Sequence, residues 1–127
     1  PAQVAAGSRI ALPVGQVDLM PTFAAAAGAA LPQGVEIDGR NLVPALTGKG
    51  RQERADAPLF WSSGYYKAVR AGDWKLQING KQGKKWLYNL AADPTEQRDL
   101  AASEPDRVRT LEGLIAAHEK GRKPPLY

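Results

Sequence analysis

The chain has 127 residues and a formal net charge of +4, and its length is typical of one domain. Hydrophobic residues make up 43% of it and charged residues 24%, as in a globular protein. It has no cysteine and one histidine, His118. This excludes thiolate catalysis, iron–sulfur clusters and cysteine- or histidine-rich zinc sites within one chain. The longest apolar stretch is about ten residues, against roughly 20 needed to span a bilayer, so we predict no membrane span.

Positive charge is concentrated in the middle of the chain. Residues 49–85 carry nine Lys and Arg against three Asp and Glu, whereas the two flanking stretches each have a net charge of −1. Such a patch attracts phosphates, sulfates and acidic polymers, although solvated strand and turn lysines explain most of it equally well. No nucleic-acid-binding module accompanies the charge, so we predict no nucleic acid partner.

The first element in chain order is a predicted helix over residues 14–27, where apolar residues recur at helical spacing up to Gly28. Pro21 requires the regular helix to begin near Met20, after an irregular first turn. Asp18 is the only ionised side chain of this helix. A helix that is apolar nearly all round is usually buried, so we expect it to have a neighbour beyond this chain.

A loop and a short helix are predicted next, over residues 31–47, with Asn41 as the cap of the helix and Gly48 after its end. The pairs Gln33-Gly34 and Asp38-Gly39 are typical of turns. Residues 48–56 are predicted to form a polar linker.

Four short strands are predicted at 58–62, 66–71, 74–79 and 85–90. In the third, Trp74, Leu76 and Ile78 alternate with polar residues, and in the fourth an apolar face is expected from Trp86, Tyr88 and Leu90. The segments 71–73 and 79–80 are hairpin signals. The pattern predicts an antiparallel meander.

A last helix is predicted to cover this sheet. Residues 93–96 match a capping box in which Glu96 reaches back to Asp93, and Ser103 is predicted to cap the helix itself. The apolar stripe of the helix, which Gly121 is expected to end, consists of Val108, Leu111, Leu114, Ile115 and His118. The predicted fold class is α+β: a four-stranded antiparallel sheet packed on a C-terminal helix, with an N-terminal helical lead-in.

One cluster combines aromatic rings, a flexible loop and a cation. Its members are Trp61, Tyr65, Tyr66 and Lys67, around the loop 62–64. Such a loop could hold a sugar or aryl ring and an anionic group; the alternative is a strand junction with core-facing rings. The carboxylates are scattered without metal-loop spacing, and His118 is expected to pack or to cap its helix. We therefore predict no catalytic residue and no metal site in this chain.

Four segments match family patterns in sequence order. They are VDLMPT at 17–22 with AAG at 26–28, DGRNL at 38–42, AVRAGDWKL at 68–76, and LYNL at 87–90 with DPTE at 93–96. Together they resemble the C-terminal part of type I sulfatases, hydrolases of sulfuric esters with an alkaline-phosphatase-like fold. Two departures, Lys67 for Arg and Asp99-Leu100 for Asn-Leu, are interpreted as surface changes.

The resemblance implies a division of labour with a parent enzyme. In that family the formylglycine, the carboxylates that hold a divalent cation (commonly calcium) and the sulfate-contacting Lys and His lie upstream, so none maps to a residue here. Residues 1–48 would then be a helical lead-in that packs on the absent N-terminal catalytic domain, and 49–127 a C-terminal subdomain. The chain opens with Pro1 and has no leader pattern, so we expect a processed product or a piece of a longer chain. By resemblance alone, a periplasmic or secreted parent is one option.

The subdomain is expected to complete the fold and to form the rim of the substrate cleft, through the 61–67 loop and the 79–85 hairpin. The rim candidates are Trp61, Tyr65, Tyr66, Lys67, Lys81 and Lys84. Residues 103–107 also fit Ser-x-Pro-x-Arg, the skeleton of the sulfatase activation motif, but helix capping by Ser103 explains them.

Two other functions stay open on the sequence. One is a stand-alone, non-catalytic module that binds acidic glycans through the basic middle of the chain. The other is an interaction domain that recruits a protein partner through the first helix, which could also support a homo-oligomer or a swap between chains.

Overall fold

The computed structural model describes residues 3–49 and 57–120. The chain divides between Ala57 and Pro58 into two compact units. The first holds a short 3-10 turn and two helices; the second holds a four-stranded antiparallel sheet and a long helix. This is the α+β fold that the sequence predicts. Within the described ranges, no helix is both long enough and apolar enough to cross a bilayer.

The first unit begins with a 3-10 turn, Gln16–Asp18, that continues into helix α1, Leu19–Ala26. The late start confirms the prediction from Pro21, which lies in the first turn of α1, where a helix does not need its N–H. Gly28 has a φ of +68°, and the N–H of Ala29 donates to the carbonyl of Ala24 at 2.8 Å. A left-handed glycine thus ends the helix, as predicted.

Two of the sequence motifs, VDLMPT and DGRNL, are joined by hydrogen bonds from side chains to backbone. The fully buried Asp18 accepts from the N–H of Gly15 at 2.9 Å and from the N–H of Arg40 at 2.8 Å. The hydroxyl of Thr22 donates to the carbonyl of Asp18 at 2.6 Å and accepts from the N–H of Leu42 at 3.0 Å. The motif residues Asp18 and Thr22 therefore hold the 39–42 segment against α1.

Gly39 is required for close packing, and the turn predicted at Asp38-Gly39 is wrong. Both residues lie in a stretch without turn or helix, and Gly39 is buried. A Cβ added to Gly39 would lie 1.9 Å from the carbonyl oxygen of Val17, so the two backbones can meet only at a glycine. The turn predicted at Gln33-Gly34 is present, with Gly34 at a φ of +74°.

Helix α2, Val43–Thr47, completes the first unit. Its cap differs slightly from the prediction: Leu42 is the N-cap residue, while the side chain of Asn41 accepts the N–H of Val43 at 2.9 Å. Gly48, left-handed at a φ of +67°, ends the helix as predicted. The predicted linker lies outside the described residues from position 50 onward.

The second unit is the predicted meander. Its strands, in spatial order, are β1 Leu59–Ser63, β2 Tyr66–Ala71, β3 Trp74–Asn79 and β4 Lys84–Asn89. Gly64 and Gly72, both at positive φ, stand in the two-residue turns between the first three strands. The last hairpin has a four-residue loop, because Asn79 pairs with Lys84, where the Asn79-Gly80 signal suggests a tighter turn.

The core lies between one face of the sheet and helix α3, Pro105–Glu119. Val69, Leu76 and Leu87 are neighbours in register and fully buried, and they pack with Val108, Leu111 and Ile115 of the predicted stripe. The imidazole of His118 stacks on the ring of Phe60 with centroids 3.8 Å apart. The predicted packing role of His118 is thus confirmed.

The fourth strand contributes a different residue to the core than the apolar pattern suggests. Trp86 and Tyr88 do share a face, but it is the face away from α3, opposite Gln77 and Lys75. The residue between them, Leu87, is the one buried under the helix. The sequence pattern suggests the opposite assignment of faces, because the outward face carries two large aromatic residues. A shift of one residue exchanges the two faces of a strand.

Two predicted caps are wrong. Ser103 does not cap α3: the N-cap residue is Glu104, and the Ser103 hydroxyl donates to the carbonyl of Leu100 at 3.1 Å. Glu96 does not reach back to Asp93 as a capping box requires; it has a φ of +57° and its carboxylate contacts the sheet. Helix α3 ends at Glu119, and Gly121 lies outside the described residues.

The edge of β4 is closed by the segment that follows it. The N–H of Leu100 donates to the carbonyl of Leu87 at 2.8 Å, and the N–H of Leu87 donates to the carboxylate of Asp99 at 3.0 Å. An edge strand exposes such groups unless something covers them. Asp99 therefore has a structural role, where the sequence suggests a surface change. An Asn at this position would offer the same acceptor oxygen.

Candidate functional site

The face of the sheet opposite α3 carries the candidate site. Successive side chains of a strand point to opposite faces, so the paired residues Trp61, Ala68, Gln77 and Trp86 form one row across this open face. The next row consists of Leu59, Arg70, Lys75 and Tyr88, and Leu59 is buried at its β1 end. The open face therefore carries aromatic rings, cations and an amide, with a buried leucine at one edge.

A groove of about 770 Å³ runs over this face. Its walls include Trp61, Tyr66, Arg70 and Glu96. The residues Trp61 and Tyr66 are 48% and 56% exposed. These predicted rim residues are thus not core-facing, which removes the alternative that their rings fill the interior.

Glu96 links the loop after β4 to the open face. Its carboxylate accepts from the ammonium group of Lys75 and from the side-chain amide of Gln77, both at 2.6 Å. Lys75 belongs to the third sequence motif and Glu96 to the fourth. These two motifs are therefore also joined by direct contacts, and the polar groups of the groove are held in fixed positions.

Tyr88 lies beside this network. Burial raises the pKa of the Tyr88 phenol above its ordinary value of 10.0, and the negative charges of Asp99, Glu96 and Asp93 raise it further. The phenol is therefore neutral at physiological pH and available only as a neutral hydrogen-bonding group.

A second set of candidates meets at the tip of the sheet. The N–H of Gly80 donates to the carbonyl of Tyr65 at 2.8 Å, which holds the β3–β4 loop against the β1–β2 turn. The ammonium group of Lys81 lies over the ring of Tyr65, 5.7 Å from its centroid. The structure thus brings two predicted rim residues, Tyr65 and Lys81, into contact.

The other predicted rim residues, Lys67 and Lys84, do not join either group. Lys67 is directed to the helix side, where its ammonium group pairs with the carboxylate of Glu119 at 2.7 Å. Lys85, from the same basic stretch, pairs with Glu112 of α3 at 2.5 Å. Lys84 is exposed at the start of β4. Two cations of the basic stretch are therefore paired with carboxylates of α3 and lie on the helix side of the sheet.

The donor set of the described chain does not fit a calcium or formylglycine centre. Within residues 3–49 and 57–120, no three acidic or imidazole side chains converge. Asp18 is committed to two backbone N–H groups, and Asp93 accepts the N–H of Arg98 at 2.8 Å. Ser103 lies in an exposed turn, bonded to a backbone carbonyl.

Three residues of the open face, Ala68, Arg70 and Glu96, are not among the candidates predicted from the sequence. The alternation in the third strand does predict that Gln77 lies on the face opposite Trp74, Leu76 and Ile78, and the structure confirms this. Arg70 and Ala68 stand within a recognised motif, and their spacing of two places them on one face of a strand. That spacing is a usable signal for the pair. Glu96 gives no such signal, because it lies in a loop and its contact with the sheet depends on residues about 20 positions away in the sequence.

Comparison with known proteins finds sulfatases both by sequence and by structure. The chain is 39% identical to human steryl-sulfatase over 94 residues, which is 74% of this chain and 16% of that protein. It superposes on a putative sulfatase from Bacteroides thetaiotaomicron with a TM-score of 0.68 and 25% identity, covering 81% of this chain and 24% of the other. The structure of Ps i-CgsB in complex with k-i-k-neocarrahexaose gives a TM-score of 0.83 and 29% identity, covering 100% of this chain and 29% of the other.

The chain thus spans less than a third of the length of each of these proteins. No protein-family model matches it. The alternative of a stand-alone binding module receives no support from these relatives. By sequence and by fold, the chain is homologous to the C-terminal portion of the type I sulfatases of the alkaline-phosphatase-like superfamily.

Proposed function

We propose that this chain is the C-terminal subdomain of a sulfatase, where it completes the fold and forms part of the rim of the substrate cleft. Hydrolysis of the sulfate ester takes place on an N-terminal catalytic domain, which supplies the formylglycine and the divalent cation. The observation that carries the proposal is the match to sulfatases over most of this chain and only 16% to 29% of theirs.

Helix α1 and the 3-10 turn before it supply a surface for the catalytic domain. The exposed side chains are Val17 in the turn and Met20 and Phe23 in the helix, with Phe23 65% exposed, while Asp18 and Thr22 are buried. Exposed apolar side chains grouped on one element mark an interaction surface. In the parent enzyme we assign this surface to contact with the catalytic domain; in the chain alone it is available for self-association or a swap between copies.

The tip of the sheet is the part of the rim that we assign to substrate contact. Tyr65 is 65% exposed and lies under the Lys81 ammonium, so a ring and a cation are presented together at a position fixed by the Gly80–Tyr65 hydrogen bond. An aromatic face and a positive charge suit a sugar or aryl sulfate. The solved relative that was crystallised with an oligosaccharide supports a glycan as one such substrate.

Replacement of the tip residues in the parent sulfatase tests this role. We expect Tyr65→Ala and Lys81→Gln each to raise KM for the sulfate ester by about tenfold or less, because an exposed contact to a bound group is worth roughly 1 kcal/mol. The value of kcat should stay within about twofold, since the removed contacts are made equally to substrate and transition state.

The matched control is Lys120→Gln, which removes an exposed positive charge just after α3 and is expected to leave KM unchanged. Steady-state kinetics at two ionic strengths measures both parameters, and the effect of Lys81→Gln should shrink at high salt. If the tip variants match Lys120→Gln in KM, the tip is not part of the rim.

A further inference from the structure

A depression on the open face is centred on Ala68. Along β2 the residues that share its face are Tyr66 and Arg70, and across the sheet its register partners are Trp61 and Gln77. Directly paired residues lie about 5 Å apart, and residues two positions apart along one strand lie about 7 Å apart, both within reach of long side chains. Ala68 is therefore a small floor surrounded by four large side chains, and all five line the groove.

The walls of this depression differ in chemistry. On one side stand the aromatic residues Trp61 and Tyr66, each about half exposed. On the other side stands Arg70, whose Nε–H donates to the carbonyl of Gly72 at 3.1 Å. This hydrogen bond orients the planar guanidinium, which has further N–H donors for an oxyanion.

The far wall is polar and already organised. Gln77 and Lys75 both donate to the carboxylate of Glu96, which compensates the charge of Lys75. Among the described residues, no carboxylate forms an ion pair with Arg70, the other cation of this depression. Aromatic faces beside ordered polar groups and one guanidinium suit a sugar ring that carries one anionic group.

We infer that the depression over Ala68 is a saccharide-binding subsite, in which Trp61 and Tyr66 contact the face of a sugar ring and Arg70 binds a sulfate group on that ring. The choice of sulfate over another oxyanion rests on the proposed function. The subsite differs from the tip, because its cation is Arg70 and its floor lies within the sheet.

Binding by the chain itself tests the inference without any catalytic step. The probes are N-acetylglucosamine 6-sulfate, unsulfated N-acetylglucosamine and inorganic sulfate, added to the 15N-labelled 127-residue chain. We expect the sulfated sugar to shift the indole N–H of Trp61 and the Nε–H of Arg70 saturably. The unsulfated sugar should shift only the indole and bind about tenfold more weakly, and inorganic sulfate should shift only Arg70.

Two variants address the two walls of the depression. Ala68→Phe fills the floor with a residue that suits a strand, and we expect it to weaken binding of the sulfated sugar by about tenfold or more. Arg70→Gln should reduce the affinity for the sulfated sugar to that for the unsulfated one. The controls are Ala116→Phe and Arg109→Gln, which make the same changes at exposed positions of α3. Both should bind the sulfated sugar as the unchanged chain does.

Several results would overturn the inference: no saturable shift with the sulfated sugar, equal affinity for the two sugars, or full binding by a correctly folded Ala68→Phe chain, with folding checked by its thermal midpoint. Failure of the subsite is distinguishable from failure of the proposed function. If the parent enzyme hydrolyses sulfate esters but this chain binds no sugar, the subsite is refuted and the proposed function stands. If the chain binds the sulfated sugar but the parent is inactive, the sulfatase role is refuted and the subsite stands.

Discussion

Replacement of Gly39 by alanine is expected to disrupt the first unit more than any other single methyl addition. The new Cβ would lie 1.9 Å from the carbonyl oxygen of Val17 and 3.0 Å from Cγ of Pro21. The first neighbour is backbone, which cannot rotate away, so the cost should reach the upper end for overpacking, about 3 kcal/mol or more. The residue has no positive φ, so the loss comes from space and not from backbone conformation.

The effect of Gly39→Ala can be measured where it arises. The amide protons of Arg40 and Leu42 are bound by Asp18 and Thr22, and their hydrogen exchange should accelerate by about 100-fold when this contact opens. Gly34→Ala is the matched control, because a Cβ there meets nothing within 4 Å and only its φ of +74° is unfavourable, by about 1 kcal/mol. Equal exchange in the two variants would show that α1 and the 39–42 segment are not packed as described.

Replacement of Leu87 by alanine is expected to have the largest effect in the second unit. Leu87 is fully buried in the cluster formed by β2, β3 and α3, and truncation of such a leucine typically costs about 2–5 kcal/mol. Trp86→Ala is the comparison, since its ring lies half-buried on the open face and should cost about 1–2 kcal/mol.

Urea unfolding of the two variants decides between two registers of β4. In the observed register Leu87→Ala lowers the midpoint more than Trp86→Ala does. If the apolar face suggested by Trp86, Tyr88 and Leu90 were the core face, the order would reverse, because a buried tryptophan costs about 3–5 kcal/mol to truncate. The reversed order would contradict the sheet register.

Local patterns in the sequence suffice for most of the fold. The alternation of Trp74, Leu76 and Ile78, the turn at Gly72 and the stripe from Val108 to Ile115 each depend on residues close in the chain, and each is confirmed. The wrong predictions concern residues whose local sequence favours one conformation while contacts with distant residues impose another. Asp38-Gly39 has turn chemistry, yet the approach of Val17 determines its conformation; Glu96 has capping chemistry, yet Lys75 and Gln77 bind it.

The candidate site is less predictable than the fold for the same reason. Trp61, Tyr65 and Tyr66 are recognisable in the sequence because exposed aromatic residues beside glycine and serine are unusual. The cation next to them is not recognisable: Lys67 is adjacent in sequence but pairs with Glu119, and Arg70 reaches the open face through strand alternation and register. The assignment of residues 1–48 to a lead-in for a catalytic domain stays a prediction.

The motif residues that mark this chain as homologous to sulfatases have structural roles in the described contacts. Asp18, Thr22 and Gly39 join α1 to the next segment, and Lys75 joins the sheet to Glu96. These contacts fix backbone geometry within the chain. We propose that they position surfaces for a reaction carried out on the catalytic domain of the parent enzyme.

Hydrolysis of an aryl sulfate such as 4-nitrophenyl sulfate, assayed with calcium present, tests this division of labour most directly. We predict that the 127-residue chain alone releases nitrophenol at the uncatalysed rate, while the parent sulfatase that contains it turns over. Turnover by the purified chain that is lost in its Ser103→Ala variant would rule out this division of labour, because it would place the reactive centre within these residues.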